Sequence, residues 1–252
     1  MPAHDIVLLT ATVVPPPDAR NLARRDPQLR LQDYLQAFDF YLTLLRAGSM
    51  QGLVLCENSG YDLAPFAARA RAAGLASQVE LIGHHGLDHP AIWGRGYGEF
   101  KLVDHAMRHS ALIQAQGPAV RVWKVTGRYR VPNLARLIAT QPAQADLYCH
   151  CRNWPLRWTD LYLLRWNRRA YQALLQGAYH RLRQDESRTS AEQHFRALID
   201  APRHDGLRIV RRFAVVPQIE GVRGFDNRPY QAMVHKLLAR RVAQRVAPWL
   251  WI

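Results

Sequence analysis

The stretch RVWKVTGRYRVPN, residues 121–133, decides how this chain is read. With the residue before it, it supplies Val120, Val122 and Val125, an apolar-alternating run that predicts a buried strand. The run breaks at Thr126-Gly127 into a loop carrying Lys124, Arg128, Tyr129 and Arg130. It closes on Pro132-Asn133, ahead of a helical pattern from Leu134 to Ile138. A strand that ends in a cation-lined glycine turn and feeds a helix is where α/β proteins commonly hold phosphate. Free backbone N–H groups and the positive end of the helix both favour an anion there. The competing reading is a plain surface loop in an arginine-rich protein.

Upstream of that stretch the pattern alternates. Asp5 to Val14 is a continuous apolar and β-branched run that stops at Pro15-Pro16-Pro17, as a buried parallel strand would. Leu31, Tyr34, Leu35, Phe38, Leu42 and Leu45 recur at helical spacing, and Gly48 ends the helix. Gly52 to Cys56 reads as a second strand, Leu63 to Ala73 as a second helix and Val79 to Ile82 as a third strand. This alternation predicts a single α/β, Rossmann-like domain with a mostly parallel sheet flanked by helices. Ligands then bind beyond the carboxyl ends of the strands, where Thr10, Ala11, Glu57, Asn58 and Ser59 fall.

The segment 83–98 (GHHGLDHPAIWGRGYG) holds His84, His85 and His89, but at no standard zinc spacing, and it reads better as a glycine-rich loop. A helix is expected from about Gly98-Glu99, with Glu99 and Lys101 in its first turn; for Glu99 the bland role is that of an acid complementing the helix dipole. Cys149 and Cys151 are two apart, hence on one side of a short strand over residues 146–151, and read as buried, inert thiols. Residues 158–175 form an amphipathic segment in which Asp160 is either a cap or a functional carboxylate. Thr189 to Glu192 resembles a capping signature, so a cap is also the bland role for Glu192. Residues 207–216 read as a late strand before a glycine loop, Ile219 to Phe225.

Composition narrows the function classes. The 252 residues are 48% hydrophobic, enough for one large core, and no apolar run approaches a membrane span. No signal peptide is evident, and three cysteines make no disulfide framework, so a cytoplasmic setting is expected. A formal charge of +14 calls for an anionic partner. The basic residues are dispersed and no helix-turn-helix, zinc-finger or RNA-recognition motif occurs, so nucleic acid is not the expected partner. Residues 235–252 are set apart from a domain spanning 1–234. They combine a basic amphipathic helix with Trp249 and Trp251, which suits the surface of an anionic membrane.

Taken in order, VLLTATV, YLQAFDFYL, LCENSGYDL, GYGE, KVTGRYRVPN, TDLY, a glutamate on a late helix and PQIEGVRG resemble bacterial glycosyltransferases of capsule, O-antigen and exopolysaccharide gene clusters. The resemblance covers most of the chain through short motifs. It implies a GT-A-like fold, a nucleotide-sugar donor, a glycan or lipid-linked glycan acceptor, and work at the cytoplasmic face of the inner membrane. One departure is clear: no Asp-x-Asp motif occurs, the pair that typically holds a divalent metal on the donor diphosphate. Lys124, Thr126, Arg128 and Tyr129 stand in the corresponding place, and cations with a hydroxyl can neutralise a leaving phosphate instead.

The expected chemistry is therefore inverting glycosyl transfer with no metal cofactor. Glu192 is the first candidate base, Asp160 the second and His84 or His85 the third. Thr10, Ala11 and Glu57 to Ser59 are assigned to base and ribose. Glu99, Lys101, Lys124, Thr126, Gly127, Arg128 and Tyr129 are placed on the donor side, with Arg223 joining on closure. The rivals from other classes are a nucleic-acid-binding module and a non-catalytic, membrane-associated scaffold.

Overall fold

The chain is described by a computed structural model covering residues 4–184, 189–201, 206–230 and 246. The first strand, β1 (His4–Ala11), is buried on both faces, which is why its sequence is apolar without alternation. Helix α1 (Pro27–Arg46) begins where the Asp26 carboxylate accepts from the N–H groups of Gln28 and Leu29, with Pro27 in the first turn. It stops at Gly48, whose φ of 70° lies in the left-handed region. Then follow β2 (Gly52–Glu57), α2 (Ala64–Ala72), β3 (Val79–Gly83), α3 (Gly94–His109), α4 (Ala111–Ala115), β4 (Val120–Thr126) and α5 (Leu134–Ala139). The rest comprises β5 (Leu147–Tyr148), β6 (Cys151–Arg152), β7 (Trp158–Thr159), β8 (Leu163–Asn167), a helical turn α6 (Arg168–Ala170), α7 (Ala191–Asp200) and β9 (Ile209–Val210).

Seven strands make one sheet in the order β3-β2-β1-β4-β8-β5-β9, and β6 with β7 forms a separate hairpin. β3, β2, β1 and β4 are parallel, β8 runs antiparallel to both neighbours, and β5 pairs parallel with β9. The protein is thus α/β, with a mostly parallel central sheet between two helical layers. The period of two along each strand sorts side chains between those layers. Ile6, Leu8, Val120 and Val122 pack with α3 and α7, whereas Val7, Leu9, Trp123 and Val125 pack with α1, α2 and α5. The chain runs β1 to β3 in one direction and then returns to place β4 on the far side of β1. That reversal opens a crevice between the carboxyl ends of β1 and β4.

Several expectations change. Lys124 is not in the loop but within β4, fully buried, because period two puts it on the same face as Val120 and Val122. Helix α3 starts about one turn earlier than the sequence suggests, at Gly94, so Glu99 and Lys101 lie beyond the first turn and the dipole role for Glu99 falls away. The amphipathic segment 158–175 contributes β7 and β8 before it turns helical. Leu163, Leu164, Arg165 and Trp166 are all buried between β4 and β5, and a short apolar run cannot tell such a strand from a helix. The late strand over 207–216 shrinks to the two-residue edge strand β9. Cys149 and Cys151 are both buried, with sulfurs 3.8 Å apart. Of residues 235–252 only Val246 is described, so the membrane expectation for that segment lies outside the described residues. No described helix is long and apolar enough to cross a membrane.

Candidate functional site

Thr10 and Thr126 are register partners at the carboxyl ends of β1 and β4, and both side chains point toward α3. Each hydroxyl donates to Glu99 Oε1 at 2.8 Å. Lys124 Nζ reaches the same oxygen at 2.5 Å, the carbonyl of Leu161 at 2.6 Å and the Thr126 hydroxyl at 3.2 Å. An ammonium in the core needs such a partner, since an unpaired buried charge costs several kcal/mol. Burial pushes the Glu99 carboxyl up, but the Lys124 charge and the three donors outweigh it and hold the group below its ordinary value. Burial pulls the Lys124 ammonium down, and Glu99 and Glu192 offset only part of that. The pair is an ionised floor for the crevice, with Glu99 Oε1 taking contacts from Lys124, Thr10 and Thr126.

Above the floor stands a rim of arginines. Arg128 follows the turn at Gly127, where a Cβ would lie 2.8 Å from the Thr10 carbonyl, so only glycine lets the loop cross the end of β1. Arg128 is 6% exposed and donates to the Val222 carbonyl at 3.0 Å, while its Nε is buried with no hydrogen-bond partner among the described residues. Arg30, on the buried face of α1, donates to the carbonyls of Thr12 and Arg24 and to the Tyr34 hydroxyl. Arg95 sits one turn before Glu99 on the same face of α3. The facing carboxylate is Asp33, held by a two-toothed contact from Arg24 and 3.9 Å from Arg128.

Helix α7 brings the last element. A Cβ on Gly96 would collide with Ala191 Cβ at 2.2 Å, so the start of α7 docks closely on the first turn of α3. Ser190 caps α7 and the reciprocal bond comes from Gln193, one residue past the expected partner. Glu192 is thereby released from capping and lies near enough to Lys124 to act on its charge.

The other expected residues are placed as follows. Tyr129 gives its carbonyl to Tyr41 and packs its ring edge-on against Tyr230. Glu57 is buried and accepts from the N–H groups of Val13, Ser59 and Tyr61, pinning the loops after β1 and β2. Asn58 accepts from the Thr12 hydroxyl, Ser59 donates to Glu57, and Ala11 is buried in the α1 layer. Lys101 is two residues from Glu99, about 200° around the helix, and pairs with Asp88. Asp160 is gripped by Arg152 at 2.7 Å and approached by the Tyr162 hydroxyl. Arg223 pairs with Asp226 within its own loop and lies over Phe225. That loop is already docked, pairing Glu220 with Arg130 and taking the N–H groups of Ala23 and Arg24 at the Gly224 carbonyl. His84 stacks on His105, and His85 packs on Gly60, both on the β2–β3 side of the sheet.

Among the described residues no group of three or more His, Cys, Asp or Glu side chains converges to hold a metal ion. In the crevice itself Glu99 pairs with Lys124 and Asp33 with Arg24.

No protein-family model matches the sequence, and a search of curated proteins finds no match. Solved structures do resemble it. One, from Desulfovibrio desulfuricans G20, is provisionally described as a nucleotide-diphospho-sugar transferase. It is 15% identical with a TM-score of 0.47, over 83% of this chain and 79% of that one. Another is the galactosyltransferase LgtC in complex with donor and acceptor sugar analogues. It is 11% identical with a TM-score of 0.45, over 77% of this chain and 69% of that one. Both likenesses are distant.

Sequence reasoning missed Arg30, Arg95 and Asp33. A signal existed for the first: Arg30 stands four residues before Tyr34, in the buried stripe of α1, where an apolar residue is the norm.

Proposed function

We propose that this protein is a GT-A-like glycosyltransferase that moves a sugar from a nucleotide-sugar donor to a glycan or lipid-linked glycan acceptor in bacterial surface polysaccharide synthesis. The observation that supports this reading best is the crevice between β1 and β4, where a cationic rim and the carboxylate of Glu192, unpaired among the described residues, flank an ionised Lys124–Glu99 floor. In this reading Glu192 accepts the proton of the acceptor hydroxyl as that oxygen bonds to the sugar's anomeric carbon. The bond from that carbon to the phosphate oxygen breaks, and the nucleotide departs with the electron pair. Arg128 stabilises the charge on the departing phosphate, the task a metal performs elsewhere. Transfer is proposed to invert the anomeric centre and to proceed without a divalent metal, at the inner face of the membrane, with residues 235–252 as the surface contact.

Incubating the protein with UDP-, GDP-, dTDP- and CMP-sugars, with and without EDTA, tests the reading. One donor class should raise the thermal midpoint and be hydrolysed slowly, with EDTA making no difference. Arg128→Ala should abolish that turnover while leaving the fold intact. If no sugar nucleotide shifts the midpoint, the reading is wrong; if EDTA removes the activity, metal independence is.

A further inference from the structure

Arg30, Arg95 and Arg128 belong to α1, α3 and the loop after β4, yet all three act on one another's charge or meet at one point. Arg128 Nη2 and Arg95 Nη1 lie 2.8 and 3.2 Å from where a Cβ on Gly224 would sit. Gly224 is therefore the residue that lets the late loop close over two guanidinium groups. Counting Arg24, four guanidinium groups gather here; among the described residues the carboxylate that three of them meet is Asp33, and it is committed to Arg24. Arg30 spends its donors on neutral carbonyls and a hydroxyl, which orient it without cancelling its charge. The Arg128 side chain belongs to this cluster, and its Nε is buried with no hydrogen-bond partner among the described residues. A fold that gathers cations with so little countercharge, two of them (Arg30 and Arg128) buried, favours a multiply charged anion, because each charge-assisted bond strengthens where water is excluded.

We infer that Arg30, Arg95 and Arg128, closed over by Gly224, form a site for a diphosphate group and discriminate against a monophosphate. Four positive charges less one leave an excess of three, which suits the two ionised phosphates of a nucleoside diphosphate ester better than the single one of a monophosphate ester. Planar guanidinium forks bind adjacent phosphates bidentately, which a lysine cannot do. As a donor subsite this rests on the transfer reading above, and it narrows the donor to diphosphate-linked sugars rather than CMP-linked ones.

Calorimetric titration of the full chain with inorganic pyrophosphate and with inorganic phosphate tests the site. Pyrophosphate should bind at least about tenfold more tightly, equivalent to one strong charge-assisted bond. Arg95→Ala should weaken pyrophosphate by about tenfold with an unchanged thermal midpoint. Arg95 is exposed in the first turn of α3, where loss of a positive charge does not harm the helix. Gly224→Ala should weaken it too, by pressing on both guanidiniums. Equal affinity for the two anions, or wild-type pyrophosphate binding by Arg95→Ala, overturns the inference. If pyrophosphate selectivity holds and no sugar nucleotide is turned over, the anion site stands and the transfer reading fails. If transfer proceeds and Arg95→Ala leaves the donor KM unchanged, the transfer reading stands and the site fails.

Discussion

The two ends of the β1–β4 pair differ in how they treat buried charge. At the amino end the Asp5 carboxylate accepts from Arg121, from the Trp123 indole at 2.9 Å and from Gln141 at 3.0 Å, and its own N–H donates to Gln51. That network is balanced and joins β1, β4 and the segment after α5. At the carboxyl end the same two strands carry a balanced pair, Lys124–Glu99, overlaid by arginines with one shared acid. Satisfied polar groups fix a fold, whereas uncompensated ones cost stability and persist where a ligand compensates them. One end is balanced within the protein itself; the other, in the proposed reading, is built for something it binds.

The comparison breaks most sharply at Glu192. Replacing it with Gln keeps shape and removes the base, so turnover should fall by about 10²–10⁴-fold with little change in stability. Steady-state rates beside a denaturation curve check this, and near-wild-type turnover would move the base elsewhere. The next effect in size is at the opposite end. Asp5→Ala removes the acceptor shared by Arg121, Gln141 and the buried Trp123 indole and should lower unfolding free energy by about 1–3 kcal/mol. Turnover per folded molecule should stay as it was. A parallel fall in activity at permissive temperature would mean that the two ends are coupled and the contrast is false.

How much of this was legible in the sequence depends on how local the cause is. β1, α1 and β2 announce themselves through continuous apolar runs, helical spacing, Asp26-Pro27 and Gly48, all short-range signals. Lys124 was misplaced although Val120, Val122, Lys124 and Thr126 share one parity; a lysine on the buried row of a strand points to a hidden acid, but not to which one. Glu99 is 25 residues upstream on another element, and only the fold joins them. β8 was obscured because a strand buried on both faces loses alternation. Glu192 was blurred by a one-residue slip of the capping frame, and Asp160 by its partner Arg152 lying across a hairpin. The arginine rim required three elements to converge, which no spacing encodes.

The smallest effect, the pH-dependent part of what Glu99 contributes, tests the floor beneath both proposals. In the folded chain the Glu99 carboxyl sits below its ordinary value because, against burial, Lys124, Thr10 and Thr126 favour the charged form. A carboxyl depressed on folding stabilises the protein above its unfolded pKa of about 4.3, and that contribution fades as pH drops through the folded value. Glu99→Gln retains an acceptor for the two threonines but has no charge for Lys124. The wild type should therefore be the more stable near neutral pH, and its advantage should shrink as pH falls below about 4.3. Denaturation curves at pH 7, 5 and 3.5 would measure it. A gap that stays constant across those values would mean that Glu99 is not an ionised partner of Lys124, and that the carboxyl end carries one more uncompensated cation than the geometry assigns.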